Sequence, residues 1–442
     1  MKVGVTQDDW EGYLDRVAVF GMRPGLERVS ALLDALGRPQ ERFRVVHVVG
    51  TNGKSSTTRY TAALLQAHGL RAGAYLSPHI TGYCERVLVD GAPVDAGRFG
   101  RAVWRVRDET TRLPADYGET TQFEVLTVAA LLALAESGVE AVALEAGLGG
   151  RLDATNVVRA PVVVLTNIAL EHTAVLGDTR ALIFAEKAAV IKGGDALFGP
   201  LDGLEGAAER VCVRAGARAH LLGRDFTIEG EPGNFTVRTE AAVYDALAVS
   251  TPARYQVANA GLAVTAAELL IGALDVRKVR AALTAVVVPG RLQVVSQDPL
   301  LLADGAHNPD GVRALAGTLA GLDLPHPVVT VMAVMRDKDV AGMLRTLLPL
   351  VDAIVCTRAS EPRSLTADEL AQRVAGATAR EPAAGAAGKS PGVHPEIHVV
   401  LDPQEAVRKA RSLAGAEGAV LVCGSLYLLE DLRGLLQSAE LS

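Results

Sequence analysis

The sequence predicts the α/β class, arranged as two doubly wound domains. Short runs rich in valine, alanine and leucine alternate with longer helical stretches, the pattern of a parallel sheet covered on both faces. The helical stretches of the first half end at glycines able to take the left-handed C-terminal position. A chain of 442 residues, 49% of them apolar, also exceeds what one hydrophobic core usually supports.

In chain order, residues 44–49, 72–76, 141–145 and 162–166 read as strands whose apolar content suits burial on both faces. Helices fit between and after them at 54–68, 124–137 and 178–192, before Gly69, Gly138 and Gly193. From about residue 197 to 250 the chain changes character. Alternating segments at 225–229 and 234–238 flank Pro232-Gly233 and read as a small antiparallel hairpin inserted in the domain. An alanine-rich helix over 257–271 follows, and Val288-Pro289-Gly290 breaks the pattern. The domain boundary is placed there, giving domains 1–289 and 290–442. In the second, strand-like runs at 300–303, 328–334, 353–357, 397–401 and 419–423 repeat the alternation. Residues 379–395, rich in Ala, Gly and Pro, read as a surface loop without chemistry.

Charge and composition exclude several partners. Lys+Arg number 44 against 51 Asp+Glu, a formal charge of −7, and only 4% of residues are aromatic. Such a chain is a poor binder of nucleic acid or anionic membrane, which need basic surface. Its four cysteines are far apart and form no C-x-x-C pair, so neither disulfides nor a zinc cage is expected. The first residues carry Asp8, Asp9 and Glu11 where a signal peptide needs an apolar core. The apolar stretch 125–135, between Glu124 and Glu136, falls short of the roughly 20 residues that span a bilayer. A cytoplasmic protein is expected.

The chemistry is concentrated in a few segments. His47-Val-Val-Gly-Thr-Asn-Gly-Lys-Ser-Ser-Thr57 lies between a strand and a helix. Backbone amides of a glycine loop at a helix N-terminus, with one lysine, make a polyphosphate site. Val48 stands where the strict spacing has glycine, so this is a shortened form. The plain alternative is a strand-to-helix turn with a solvated Lys54. Next, Glu145 opens the run Glu145-Ala-Gly-Leu-Gly-Gly-Arg-Leu-Asp-Ala-Thr-Asn156 at the C-terminal end of a strand, the edge where ligands bind in open α/β sheets. Arg151 and Asp153 paired as a clasp is its structural alternative. After another strand comes Thr166-Asn-Ile-Ala-Leu-Glu-His-Thr173, and Lys187 lies in the following helix. A carboxylate and an imidazole at neighbouring strand ends suit a divalent cation beside ATP, since magnesium takes few protein ligands. Last, Asp304-Gly-Ala-His-Asn-Pro309 clusters polar residues where the second domain should pack apolar ones. Asn308 with Pro309 reads as a helix cap, leaving Asp304 and His307 to be explained.

These segments, with Leu76-Ser-Pro-His79, Thr121-Gln-Phe-Glu124, Glu186-Lys-Ala-Ala-Val-Ile-Lys192 and Pro289-Gly-Arg291, resemble the folylpolyglutamate synthase and dihydrofolate synthase family of the Mur ligases from about Gly21 to Tyr427. The resemblance implies an N-terminal P-loop ATPase-like domain and a smaller C-terminal Rossmann-like domain that share one active site. It implies an ATP-dependent carboxylate-amine ligase. A folate carboxylate takes the γ-phosphoryl group to give an acyl phosphate, and the amino group of L-glutamate displaces the phosphate. Dihydropteroate is the second acceptor used by bifunctional members.

Carried over by motif, Thr51, Asn52, Gly53, Lys54, Ser55 and Ser56 would hold the ATP phosphates, with Asn259, Arg291 and Asp304 around the nucleotide. Either Ser55 or Ser56 would supply the hydroxyl near the metal, because Ser55 stands where the family has glycine. Ser77, Glu145, His172 and Lys187 match magnesium ligands, Lys187 at a position that the family carbamylates. His307 and Ser425 match the glutamate region. Folate would contact Arg23, Pro24, Gly25 and Leu26, then Thr121, Gln122, Phe123 and Glu124, then Leu152, Asp153 and Ala154. Arg23 and Pro24 depart from the D-L-G-L form of some bifunctional members. Lys54, His172 and Lys187 are the expected catalytic residues, and a monomer is expected. The competing readings are a Mur-type ligase for another amino acid and a non-catalytic nucleotide-binding regulator.

Overall fold

The computed structural model describes residues 9–17, 25–380 and 394–438. Arg23, Pro24 and most of the expected loop 379–395 lie outside the described residues. The chain divides into two compact units, Met1–Val249 with Val257–Val286, and Ser250–Gln256 with Val287–Ser442. The short piece Ser250–Gln256, which runs into the start of the helix Tyr255–Ile271, therefore belongs with the second.

The first unit is built on β1 (Arg44–Val49), β2 (Ala72–Tyr75), β3 (Val87–Val89), β4 (Ala92–Pro93), β5 (Ala141–Glu145), β6 (Val162–Leu165), β7 (Gly194–Phe198) and β8 (Ala217–Leu221). They form one sheet in the order β4-β3-β2-β5-β1-β6-β7-β8. All neighbours are parallel except the pairs β2–β3 and β3–β4. β1 sits at the centre with five of its six residues buried, which is why a valine run without alternation forms it. Leaving β1, the chain turns to β2 on one side; leaving β5, it crosses to β6 on the other. The C-terminal ends of β1, β5 and β6 therefore flank a crevice of the kind where ligands bind in such sheets.

Helices cover both faces. Gln122–Glu136 begins with a capping box in which Thr121 and Glu124 satisfy each other's backbone amides. It is buried nearly all round, as its unbroken apolar run requires. Arg28, from the helix Glu27–Ala35, donates from Nε and Nη2 to Glu124 at 3.0 and 2.7 Å, and from Nη1 to the Tyr117 carbonyl. On the opposite face, β9 (Thr227–Glu231), β10 (Asn234–Arg238) and β11 (Val243–Leu247) make a small antiparallel sheet. The side chains of Phe226, Ile228 and, from the helix Tyr255–Ile271, Leu262 pack on Val46, Val48 and Val164.

The second unit carries β12 (Gln293–Gln297), β13 (Leu300–Ala303), β14 (Val328–Met332), β15 (Ala353–Cys356), β16 (Glu396–Val399) and β17 (Ala419–Cys423) in the order β12-β13-β17-β14-β15-β16. Only β12 is antiparallel to its neighbour. After β13, Asn308 accepts from the Gly311 amide at 2.7 Å and caps the helix Pro309–Leu319.

Several elements differ from the sequence expectation. The main sheet has eight strands, because β3, β4, β7 and β8 join those anticipated. Gly-Asp-Ala-Leu-Phe and Ala-Arg-Ala-His-Leu lack the β-branched residues that mark a strand, so local composition gives no signal for β7 and β8. That insertion has three strands, not two. The 178–192 helix is regular only over Arg180–Ala188. Among the described residues no helix is long and apolar enough to cross a membrane.

One buried group ties the sheet to pH. His47, in the middle of β1, is 1% exposed, and its Nε2 lies 2.8 Å from Thr155 Oγ1. The Thr155 hydroxyl donates to Asp153 at 2.5 Å, so the imidazole is the donor to Thr155. Burial, with the charge of Lys192 adding to it, pushes the ring down to about 3 from the ordinary 6.5. The unfolded chain takes up a proton below 6.5 while the folded chain does not, so this stability is present above 6.5 and is lost as pH falls toward 3. At pH 5 the loss from His47 amounts to about 2 kcal/mol relative to neutral pH. Denaturant unfolding of wild type and His47→Gln at the two pH values should show the extra loss in wild type alone; equal losses would remove His47 as its source.

Candidate active site at the carboxyl edge of the first sheet

The loop after β1 is shaped by how closely two backbones approach. Gly50 has φ 147°, and a Cβ there would stand 1.9 Å from Thr166 Oγ1. Gly53 has φ 83°, and its Cβ would meet Asn259 Oδ1 at 2.2 Å. Only glycine fits either position. The chain after β6 then clamps the loop. Thr51 N donates to the Asn167 carbonyl at 3.0 Å and Asn52 N to Asn167 Oδ1 at 2.9 Å. Thr166 Oγ1 donates to the Asn52 carbonyl at 2.6 Å, and Thr51 Oγ1 both donates to the Ala169 carbonyl and accepts from its amide.

The helix Lys54–Ala67 starts at Gly53 with no side-chain cap, so its first turn presents amides that an anion can satisfy. Lys54 Nζ folds back over the loop, donating to the carbonyls of Gly50 at 3.1 Å and Thr51 at 2.9 Å. Glycines that exclude side chains, an uncapped helix start and a lysine above them fit a polyphosphate.

Around this loop gather groups from the neighbouring strand ends. Glu145, 1% exposed at the end of β5, accepts from Ser55 Oγ at 2.8 Å and from the Ser77 amide at 3.1 Å. Ser56 is turned into the core. Arg86 Nη1 reaches Ser77 Oγ at 3.4 Å while its Nε donates to His79 at 2.8 Å. Lys187, 1% exposed, donates to the Gly50 carbonyl and to Glu171 Oε1, both at 2.7 Å. Burial lowers the pKa of Lys187; Glu171 opposes the shift and the charge of Lys54 adds to it. Glu171 lies below the ordinary carboxylate value, burial working against that shift and Lys187 and Lys54 outweighing it. Among the described residues no group of three or more His, Cys, Asp or Glu side chains is placed to hold a metal. One carboxylate with the Ser55 hydroxyl beside it nevertheless fits a hard divalent cation that completes its shell with water and phosphate oxygens.

The other expected site residues divide. His172, exposed and at φ 44°, starts the short helix Thr173–Leu176 next to Glu171. Gly25 and Leu26 precede the helix Glu27–Ala35, which carries Arg28. Gln122 donates to the Leu14 carbonyl at 2.9 Å and to Tyr83 OH at 3.0 Å. Phe123 is half-buried with its ring 6.3 Å from Tyr75 and against Gly147, while Leu152 is 49% exposed. Glu124 and Asp153 are turned inward. The first is taken up by Arg28 and Thr121, the second accepts from Leu148 N, Thr155 N and Thr155 Oγ1, and burial raises its pKa. Ala154 is buried beside it. The Arg151–Asp153 clasp, the structural alternative for this turn, is not formed: Arg151 pairs with Glu186.

In the second unit Asp304 is buried at the end of β13, Arg291 and His307 are half-buried, and His307 Nδ1 donates to the Gly305 carbonyl at 2.8 Å. Ser425 caps the helix Leu426–Asp431. Sequence reasoning passed over Thr166, Asn167 and Glu171 as site residues. The signal available was their place directly after a strand at the same sheet edge.

Comparison with known proteins bears on this edge. Residues 48–196 match the Mur ligase middle domain and residues 290–426 the Mur ligase glutamate ligase domain. The dihydrofolate synthase/folylpolyglutamate synthase of Bacillus subtilis is 32% identical over 432 residues, covering 94% of this chain and 95% of its own. The structure of Escherichia coli FolC in complex with DHPP and ADP superimposes with a TM-score of 0.86 at 29% identity, covering 99% of each chain. A bifunctional folylpolyglutamate synthase/dihydrofolate synthase with Mn, AMPPNP and L-glutamate bound gives 0.82 at 30% identity over 98% of each chain. With likeness of this extent along nearly its whole length, the chain belongs to the folylpolyglutamate synthase/dihydrofolate synthase family of the Mur ligases.

Proposed function

We propose that this chain, an ATP-dependent ligase, joins L-glutamate to a carboxylate of a folate and accepts dihydropteroate as well. The observation that carries this reading is the convergence of a phosphate-type loop, a buried carboxylate and a buried lysine at one sheet edge: Ser55 reaches Glu145 at 2.8 Å and Lys187 reaches the Gly50 carbonyl at 2.7 Å. The ligands named for the two similar structures, ADP with DHPP and AMPPNP with Mn and L-glutamate, support the same three substrates.

In this reading Thr51 to Ser56 bind the phosphates, with Ser55 rather than Ser56 giving the hydroxyl near the cation because it is the one at Glu145. Asn259, Arg291 and Asp304 serve the nucleotide. Arg23 to Leu26, Thr121 to Phe123 and Leu152 to Ala154 form the folate side, Glu124 and Asp153 acting by fixing their segments. His307 and Ser425 receive glutamate. Ser77, Glu145 and His172, with Lys187 once it is carbamylated, would hold divalent metal, which we take to be magnesium. When bound, it supplies charge neutralisation between two anions that must meet.

The folate carboxylate oxygen attacks the γ-phosphorus as ADP leaves, giving an acyl phosphate. Lys54 unfolds from its own loop carbonyls to the phosphate oxygens, where charge develops. The neutral amine of glutamate then attacks the acyl carbon, and phosphate departs as the amide forms. For Lys187 we propose carbamylation, in which the neutral amine adds to carbon dioxide and releases a proton, and burial favours that neutral form. We further propose a monomer acting in the cytoplasm.

Purified protein with MgATP, L-glutamate and either dihydropteroate or a reduced folate should release phosphate and form a glutamylated product; neither event with either pterin would refute the assignment. Lys54→Ala should lower kcat by about a hundredfold or more with the melting temperature unchanged. Full turnover in that variant would refute the phosphate-loop role. If a carbamate is needed, Lys187→Glu should keep more activity than Lys187→Ala, since it restores a negative group, whereas equal loss counts against it.

A further inference from the structure

The short piece Ser250–Gln256 belongs to the second unit through specific contacts. Thr251 Oγ1 reaches the carbonyls of Arg291 and Leu292 at 3.5 and 3.3 Å, and the Arg254 amide donates to Thr318 at 3.2 Å. At Tyr255 the hydroxyl donates to Asp304 Oδ2 at 2.5 Å. The same carboxylate oxygen accepts from the Leu292 amide at 2.8 Å, and Oδ1 accepts from the Ala306 amide at 2.8 Å. Asp304 is 2% exposed, so these donors rather than solvent sustain its charge. Burial raises its pKa, while Tyr255, first among the opposing groups, and Arg291 pull it back.

What this carboxylate fixes is the chain on both sides of it. Leu292 has φ 46°, a left-handed conformation that a leucine holds only under constraint, and its amide is bound by Asp304. Arg291 precedes it, with Nη1 placed so that a Cβ on Gly305 would lie 2.3 Å away. The guanidinium therefore lies across the Asp304-Gly305 turn. On the other side, Ala306 leads into His307, whose ring is held by the Gly305 carbonyl. Asp304 directs three hydrogen bonds into the protein, so it serves the nucleotide through the turns that it fixes.

We infer that Tyr255 is a positioning residue for the ligation reaction: through Asp304 it locks the Arg291-Leu292 turn and thereby the placement of the Arg291 guanidinium on the nucleotide. The inference deepens the proposed function and rests on its assignment of Arg291 to ATP. Tyr255 itself need not touch substrate. The hydroxyl matters because it is the side-chain donor that completes a buried carboxylate otherwise satisfied by backbone amides.

Tyr255→Phe deletes one oxygen and keeps the ring. With folate and glutamate saturating, it should raise the KM for ATP about tenfold, the scale of one hydrogen bond to a charged group, and change kcat less than about twofold. Asp304→Asn should raise the same KM at least as much, and Tyr255→Phe should add little in that background, because both substitutions break one pin. Arg291→Ala is the control for the underlying assignment. An unchanged KM for ATP in Arg291→Ala refutes the nucleotide role of Arg291, and the pin's function with it. A raised KM there but not in Tyr255→Phe leaves the assignment standing and overturns the pin. Additive effects of Tyr255→Phe and Asp304→Asn also overturn it. If Tyr255→Phe lowers the melting temperature, ADP affinity read by calorimetry in the cold decides: weakened binding supports positioning, and wild-type binding reduces Tyr255 to a structural residue.

Discussion

The arrangement at the first sheet depends on one close approach, between the Gly50–Gly53 loop and the chain leaving β6. Thr166 Oγ1 would lie 1.9 Å from any Cβ on Gly50, so the two backbones pack without a side chain between them. Thr166 and Asn167 then bind the loop through its own amides and carbonyls. Each such hydrogen bond adds only about 1 kcal/mol of stability. Their larger effect is to fix a loop whose glycines would otherwise be free, so that its amides are oriented before an anion arrives. The same approach brings the Gly50 carbonyl to Lys187 and the helix start to Glu145.

Buried charge in this chain separates into two kinds by what its partners are. Glu124 and Asp153 meet donors that belong to their own caps and turns, and Arg28 completes Glu124. Burying such groups costs several kcal/mol before their partners offset it, and the return is a defined backbone. Glu145 at the end of β5, Glu171 in the chain after β6 and Lys187 in the helix Arg180–Ala188 also have buried side chains, but they gather around Lys54, which donates to loop carbonyls. Desolvation there strengthens whatever charge is brought in. The contrast explains why residues adjacent in one motif, such as Leu152 and Asp153, differ so much: the first is half-exposed and the second is sealed inside the turn.

Much of this was legible in sequence because it rests on local rules. The valine run of β1, the glycine loop, the Asn308-Pro309 cap and the uncharged run of the helix Gln122–Glu136 each follow from short-range chemistry. Strands β7 and β8 were not legible, since their pairing to β6 is a tertiary fact that weak strand formers do not announce. For the same reason Glu171 escaped notice: its importance comes from Lys187, sixteen positions away on another element. Tyr255 lies just outside the expected helix 257–271, and its bond to Asp304, 49 positions away, is a tertiary contact that the local pattern does not announce.

The electrostatics of the edge also give meaning to an acidic chain that handles anions. Two lysines, Lys54 and Lys187, stand near two carboxylates, Glu145 and Glu171, so the formal charges of this set cancel. A polyphosphate approaching a neutral set gains from the helix start and from Lys54 only what those donors can direct at it. Phosphoryl transfer to a carboxylate then requires positive charge that this set does not hold in surplus, which is the physical reason for a divalent cation here. Carbamylation of Lys187 would turn one of the two cations into an anion and leave three negative groups facing Lys54. The demand for metal would rise accordingly, so such a modification and cation binding at this edge would be coupled through charge alone, whatever the net charge of the chain.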